Sequence, residues 1–147
     1  MLRAAFLLLL LALAPHLRAE VVDVGNAELA RLLAAGVPVI DIRTAGEWKE
    51  TGVVPGSRLI TLFDERGRAD AADWLAKVRA VAKPEQPVIL ICRSGNRTRA
   101  ASRLLAEQAG YRTVYNVQDG IRAWAKEGRS LAPLPPTAAA CSPGASC

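Results

Sequence analysis

The chain has 147 residues, 51% of them hydrophobic and 22% charged, with a formal net charge of +5. That length suits one domain with a real hydrophobic core. Its basic residues form no stripe with interleaved aromatics, which argues against nucleic acid as a partner.

The N-terminus carries Arg3, an apolar run from Ala4 to Ala14, and a break from Pro15 to Ala19. This is the layout of a signal peptide over residues 1–19, and the run is too short for a membrane span of roughly 20 residues. Cleavage after Ala19 would leave no membrane attachment and would place the mature protein in the periplasm or outside the cell; an uncleaved anchor is the alternative. Loss of Arg3 and Arg18 lowers the formal charge from +5 to +3, since all 14 acidic residues lie further on. The only histidine, His16, leaves too. A mature chain without imidazole has no Ser-His triad, no Cys-His pair and no histidine metal site.

Beyond that point strands and helices alternate. Val21 to Val24 reads as a strand, followed by a helix over 27–35 with Asn26 as its N-cap and Gly36 and Pro38 as its stop. Val39 to Ile42 is a short apolar run expected of a buried strand. Residues 46–50 predict a turn of helix and 58–61 another strand. Residues 70–82 place Trp74, Leu75, Val78 and Val81 at helical spacing, and Pro84 and Pro87 end the segment. Val88 to Ile91 is wholly apolar and strand-like. A helix is expected over 98–109, closed by Gly110, then a strand over 113–117 and a helix over 121–126 with Trp124 inward. This alternation predicts an α/β fold with a largely parallel central sheet flanked by helices, as a single domain over 20–131. Residues 132–147 form a Pro- and Ala-rich tail with Cys141 and Cys147, compositionally poor in core-forming capacity.

Cys92 sits where such sheets bind ligands, at the C-terminal end of a strand. In Cys92-Arg93-Ser94-Gly95-Asn96-Arg97-Thr98, Gly95 permits a tight turn, and the following helix start offers unpaired N–H groups. Successive amides aimed at one point form a nest that stabilises a thiolate, with Arg93 and Arg97 adding positive charge. Such settings lower a cysteine pKa from about 8.5 to roughly 3.5–7.5, so no histidine is needed. The bland alternative is a small buried hydrophobe beside a solvated arginine face. If Cys141 and Cys147 bond to each other, Cys92 is left as a free thiol in an oxidising compartment.

This loop resembles the active-site loop of the rhodanese sulfurtransferases. Val39 to Arg43 followed by Glu47-Trp48 is similar to the family's early Asp-x-Arg segment, Gly52 to Ser57 to its Gly-x-x-Pro-Gly turn, and Asp119 to Trp124 to its Gly-Ile-x-x-Trp segment. Thr51, Val53 and Asp119 depart from the common pattern. The overall layout is most similar to the small single-domain periplasmic members. The resemblance implies a two-step transfer of sulfane sulfur through a Cys92 persulfide, from thiosulfate or another small anionic donor to cyanide or a thiol, with no cofactor and no metal. It gives the catalytic role to Cys92 and substrate binding to Arg93, Ser94, Gly95, Asn96, Arg97 and Thr98. An inward role for Arg97, bracing the loop, stays open. Asp41 and Arg43 read as structural support, Arg43 pairing with Glu47 and Asp41 accepting hydrogen bonds beneath the loop. Two other readings remain: a sulfur-carrier module without turnover, and a phosphatase or arsenate reductase. The second needs Cys-x5-Arg, and its arginine position holds Thr98.

Overall fold

The structure is a computed structural model that describes residues 19–134. The expected signal segment through residue 18, and the tail from residue 135 with Cys141 and Cys147, lie outside the described residues.

Five strands, β1 (Glu20–Val24), β2 (Val39–Asp41), β3 (Arg58–Leu59), β4 (Val88–Ile91) and β5 (Thr113–Val117), form one sheet in the order β1-β5-β4-β2-β3. Every pairing is parallel. Helices α1 (Asn26–Ala34), α2 (Ala45–Thr51), α3 (Ala71–Val81), α4 (Asn96–Arg103) and α5 (Gly120–Lys126) join the strands, and α4 runs on into a π-helical segment, Leu104–Gln108. The expected α/β domain with a parallel central sheet is what the chain forms.

β4 is the central strand and shows why. Its residues are all buried, and a strand points successive side chains to opposite faces. Val88, Leu90 and Cys92 join one core with Trp74, Val78, Ala101 and Leu105, residues of α3 and of α4 with its continuation. Ile89 and Ile91 join the other core with Leu29, Leu32, Ile121 and Trp124 from α1 and α5. A strand buried on both faces reads as a continuous apolar run, as Val88 to Ile91 does.

Three boundaries differ from the sequence expectation. Gly25, in extended conformation, caps α1 by accepting from the Leu29 N–H, so Asn26 is the first helical residue instead of the cap. α4 starts at Asn96, two residues before the expected Thr98, because Gly95 takes φ +85° and closes the loop early. Thr44 and Glu47 form a reciprocal capping box that extends α2 beyond the expected single turn.

Asp41 and Arg43, 0% and 1% exposed, form a buried ion pair at the end of β2. Arg43 does not pair with the Glu47 carboxylate. Its Nη2 donates to Asp41 Oδ2 at 2.7 Å and to the Gly52 carbonyl at 2.8 Å, and its Nη1 to Thr51 Oγ1 at 2.7 Å. The backbone N–H of Arg43 also donates to Asp41, which locks the two side chains together. Every strong donor direction of the guanidinium is used, the condition under which a buried charge is tolerated. Thr51 therefore completes the Arg43 site. Val53 exchanges two backbone hydrogen bonds with Ala132, which ties the chain beyond Leu131 to the start of the Gly52–Ser57 turn.

Removing one partner strands a buried charge. Asp41→Ala should lower unfolding free energy by roughly 3–5 kcal/mol in urea denaturation.

Candidate active site

The loop after β4 is built by main chain more than by side chains. The carbonyl of Cys92 accepts from the Ile121 N–H at 2.9 Å, and that of Arg93 from the Arg122 N–H at 3.2 Å. The first turn of α5 thus holds the loop's carbonyls on its own side and leaves its N–H groups for the other. This arrangement requires backbone to touch backbone. A Cβ on Gly95 would overlap the Gln118 carbonyl, and one on Gly120 would stand 2.5 Å from the Ser94 nitrogen. Both glycines also adopt positive φ, +85° and +62°, which other residues rarely hold.

Cys92 lies at the centre and is 1% exposed. The Gly95 N–H donates to Sγ at 3.2 Å, and the Thr98 hydroxyl lies 3.5 Å from it. That hydroxyl has one proton and two acceptors in reach, Sγ and the Gly95 carbonyl at 3.0 Å. Ionised sulfur is the stronger claimant. Burial alone would raise the Cys92 pKa. The Thr98 hydroxyl, then the backbone N–H groups of Thr98, Ser94 and Gly95, outweigh it and leave the thiol below its ordinary value. The thiol is buried, and its surroundings are amide and hydroxyl donors, not apolar side chains alone.

The charged residues divide into two sets. Arg97 is held by a two-pronged pair with Glu47, at 2.8 and 2.6 Å, so it braces the loop against α2. Its pKa is raised, first by Glu47, against the effect of burial, and further by the Cys92 sulfur, so the cation also faces the thiol. The inward, bracing position left open for Arg97 is the one this geometry gives it. Arg93, Ser94 and Asn96 are exposed around the rim. Asp41 and Arg43 stand at the end of the neighbouring strand β2, whose Ile42 N–H donates to the Ile91 carbonyl just before Cys92. A cavity of about 250 Å³ opens between α2 and α5 and touches the loop at Arg93. A second hollow, about 570 Å³, lies by Leu62 and Asp70. Its carboxylates are engaged: Asp64 with Arg68, Asp70 as the α3 cap, and Asp73 with Lys77.

Residues 25–127 match the Rhodanese-like domain family. The chain belongs to that family. A thiosulfate sulfurtransferase of Arabidopsis thaliana is 31% identical over 110 residues, covering 71% of this chain and 79% of the relative. A rhodanese domain-containing protein of Drosophila melanogaster is 38% identical over 96 residues, covering 63% and 86%. The crystal structure of a rhodanese-like domain protein from Staphylococcus aureus superposes with a TM-score of 0.57 at 23% identity, over 76% of this chain and 98% of that one, which shows a common fold. A rhodanese-like domain with such relatives supports sulfur transfer as the general class of activity.

Within this rhodanese-like domain, two site residues escaped the sequence reading. Glu47 carried a legible signal, the Thr44-x-x-Glu47 capping pattern, which already spends its carboxylate at the α2 N-terminus and turns it away from Arg43. Gly120 was legible only as the glycine of the Gly-Ile-x-x-Trp segment, and its role depends on a contact with Arg93 and Ser94 across the fold.

Two outcomes follow from the electrostatics. Thr98→Val, which keeps shape and deletes the hydroxyl, should shift the thiolate absorbance titration of Cys92 to higher pH in a Cys141→Ser/Cys147→Ser background. Glu47 is held down to about 2 from 4.5, chiefly by Arg97, against burial, then by the Thr44 N–H and the charges of Arg97 and Arg43. A carboxylate depressed by folding stabilises the fold only when ionised, so its contribution is complete above 4.5 and lost as pH falls through about 2. Between those values Glu47→Gln should lose less stability on acidification than the wild type, as read by denaturant midpoints.

Proposed function

We propose that the protein is a sulfurtransferase of the thiosulfate type, in which Cys92 carries the sulfur. The observation that carries this reading is the convergence of Gly95, Ser94 and Thr98 donors on one buried sulfur whose pKa lies below the ordinary value. In the first step the Cys92 thiolate attacks the outer sulfur of thiosulfate or a related sulfane donor. A new S–S bond forms, the donor's S–S bond breaks, and sulfite leaves with the electron pair. The terminal sulfur of the persulfide is anionic and takes the place where the amides point, which preorganises the intermediate without any side-chain base. In the second step that sulfur passes to cyanide or a thiol and restores the thiolate. The exposed Arg93 and the loop face of Arg97 attract the anionic donor, while Ser94 and Asn96 supply rim contacts.

The Cys-x5-Arg mechanism of phosphatases has no support in this loop. Its arginine position is Thr98, whose hydroxyl is turned to Sγ. In this reading the activity belongs to the periplasm or the outside of the cell, a proposal supported by the signal-like pattern of residues 1–19.

Intact mass analysis after thiosulfate treatment tests the reaction. The protein should gain about 32 Da, one sulfur atom. The Cys141→Ser/Cys147→Ser variant should retain the gain and Cys92→Ser should lose it. An unchanged wild-type mass, or an adduct that survives Cys92→Ser, overturns the proposal.

A further inference from the structure

The cavity between α2 and α5 takes no part in the sulfur cradle. None of the residues that donate to Cys92 Sγ lines it, and it lies where the Ile121 and Arg122 N–H groups take the loop's carbonyls. Its apolar surface comes from Ile121, Ala125 and Leu131. Arg93 and Arg122 are exposed at its rim and form no ion pair among the described residues. Lys126, one helical turn beyond Arg122 on α5, is exposed and unpaired as well. The remaining charges around the cavity are committed or outnumbered. Arg43 is held by Asp41 and Glu47 by Arg97, which leaves Glu50 on α2 as the one unpaired carboxylate of the lining. The unpaired charge on the α5 side is therefore positive.

Three features say what such a face fits. The volume of about 250 Å³ falls below the ~300–1,000 Å³ of sites for drug-sized molecules and suits one apolar side chain. The row of cations continues past the cavity, so a small anion would leave Lys126 unused. Arg122 and Lys126 are about 6 Å apart along the helix, at 1.5 Å per residue. Carboxylates two positions apart on an extended chain share a face at roughly 6–7 Å, a matching interval. A membrane surface is the poorer fit, since insertion needs apolar side chains that stand out, and those of this face are recessed.

We propose that this cavity is a docking exosite for a polypeptide partner, which seats one apolar side chain on Ile121, Ala125 and Leu131 and sets flanking carboxylates against Arg93, Arg122 and Lys126. Charge complementarity orients the partner and the buried side chain anchors it. Because the loop turns its carbonyls to this side, the exosite is separate from the amides that face the sulfur, and a bound partner leaves them undisturbed. The proposal does not rest on the sulfurtransferase reading.

Titration of the ¹⁵N-labelled protein with short peptides tests it. The probe is acetyl-Glu-Ser-Leu-Ser-Glu-amide, with one control in which Ala replaces Leu and another in which Gln replaces both Glu. The probe should shift the amide signals of Ile121, Arg122 and Ala125 saturably, and each control should bind about tenfold more weakly. Arg122→Glu should weaken the acidic probe and leave the Gln control unchanged. Ala125→Trp, which fills the cavity, should abolish saturable binding. Both variants should keep a wild-type-like spectrum elsewhere and the gain of about 32 Da on Cys92 after thiosulfate. Absence of saturable shifts, or equal affinity for all three peptides, overturns the exosite. Two further results also overturn it: Arg122-dependent binding to phosphatidylglycerol vesicles without peptide binding, which assigns the face to a membrane, and a wild-type dimer dissociated by Ala125→Trp, which assigns it to a second copy of the chain. A wild type that takes up no sulfur defeats the sulfurtransferase reading alone, while the peptide shifts still decide this site.

Discussion

The structure depends on one close approach, that of the Cys92–Gly95 backbone to the Gln118–Gly120 backbone. Two glycines with positive φ allow it, and two N–H groups of α5 fix its sense by taking the carbonyls of Cys92 and Arg93. A peptide unit whose carbonyl points one way points its N–H the other. With the Arg93 carbonyl claimed by α5, the N–H of the same peptide unit, that of Ser94, turns toward Sγ, and the N–H groups of Gly95 and Thr98 join it. The electrostatic character of the thiol is thus set by how two loops at the same end of the sheet pack. The Asp41–Arg43 pair does comparable work one strand away, joining β2 to the C-terminal end of α2.

The same packing explains how a chain whose only histidine is His16 can present an ionisable sulfur. Imidazole would serve as a base that must accept and later return a proton. Converging amides instead hold the anion directly, in the manner of an oxyanion hole, and need no proton transfer of their own. Burial opposes ionisation and the donors outweigh it. Arg97 adds a cation at the same sulfur, and its position is secured by Glu47 from α2. Sulfur chemistry benefits from this balance, because a thiolate depressed too far is a poor nucleophile.

Much of this was legible in the residues. Val88 to Ile91 announced a strand buried on both faces, and the alternation of its side chains carries directly into the placement of Cys92 on the α3 and α4 side. Gly95 announced the tight turn. Short-range signals sufficed for these because the deciding interactions lie within a few positions in the chain. What was not legible involved partners far apart. Arg97 and Glu47 are 50 positions apart, and nothing in either neighbourhood names the other. Arg43 had two carboxylates in range, Asp41 and Glu47, and the residues alone did not distinguish them. The choice went to Asp41 because the Arg43 backbone N–H binds the same carboxylate and because capping had already engaged Glu47. The start of α4 moved for a similar reason, since the contact with Gln118 determines where the left-handed residue falls.

A field generated by peptide dipoles is indifferent to most amino-acid replacements. Ser94 contributes an N–H to the sulfur, and any residue except proline would contribute the same one. Arg93, Ser94 and Asn96 point their side chains outward, so their identities are uncoupled from thiol ionisation. The fold therefore separates the field at the sulfur, which is written in the path of the chain, from the outward side chains of the rim, which that field leaves unconstrained.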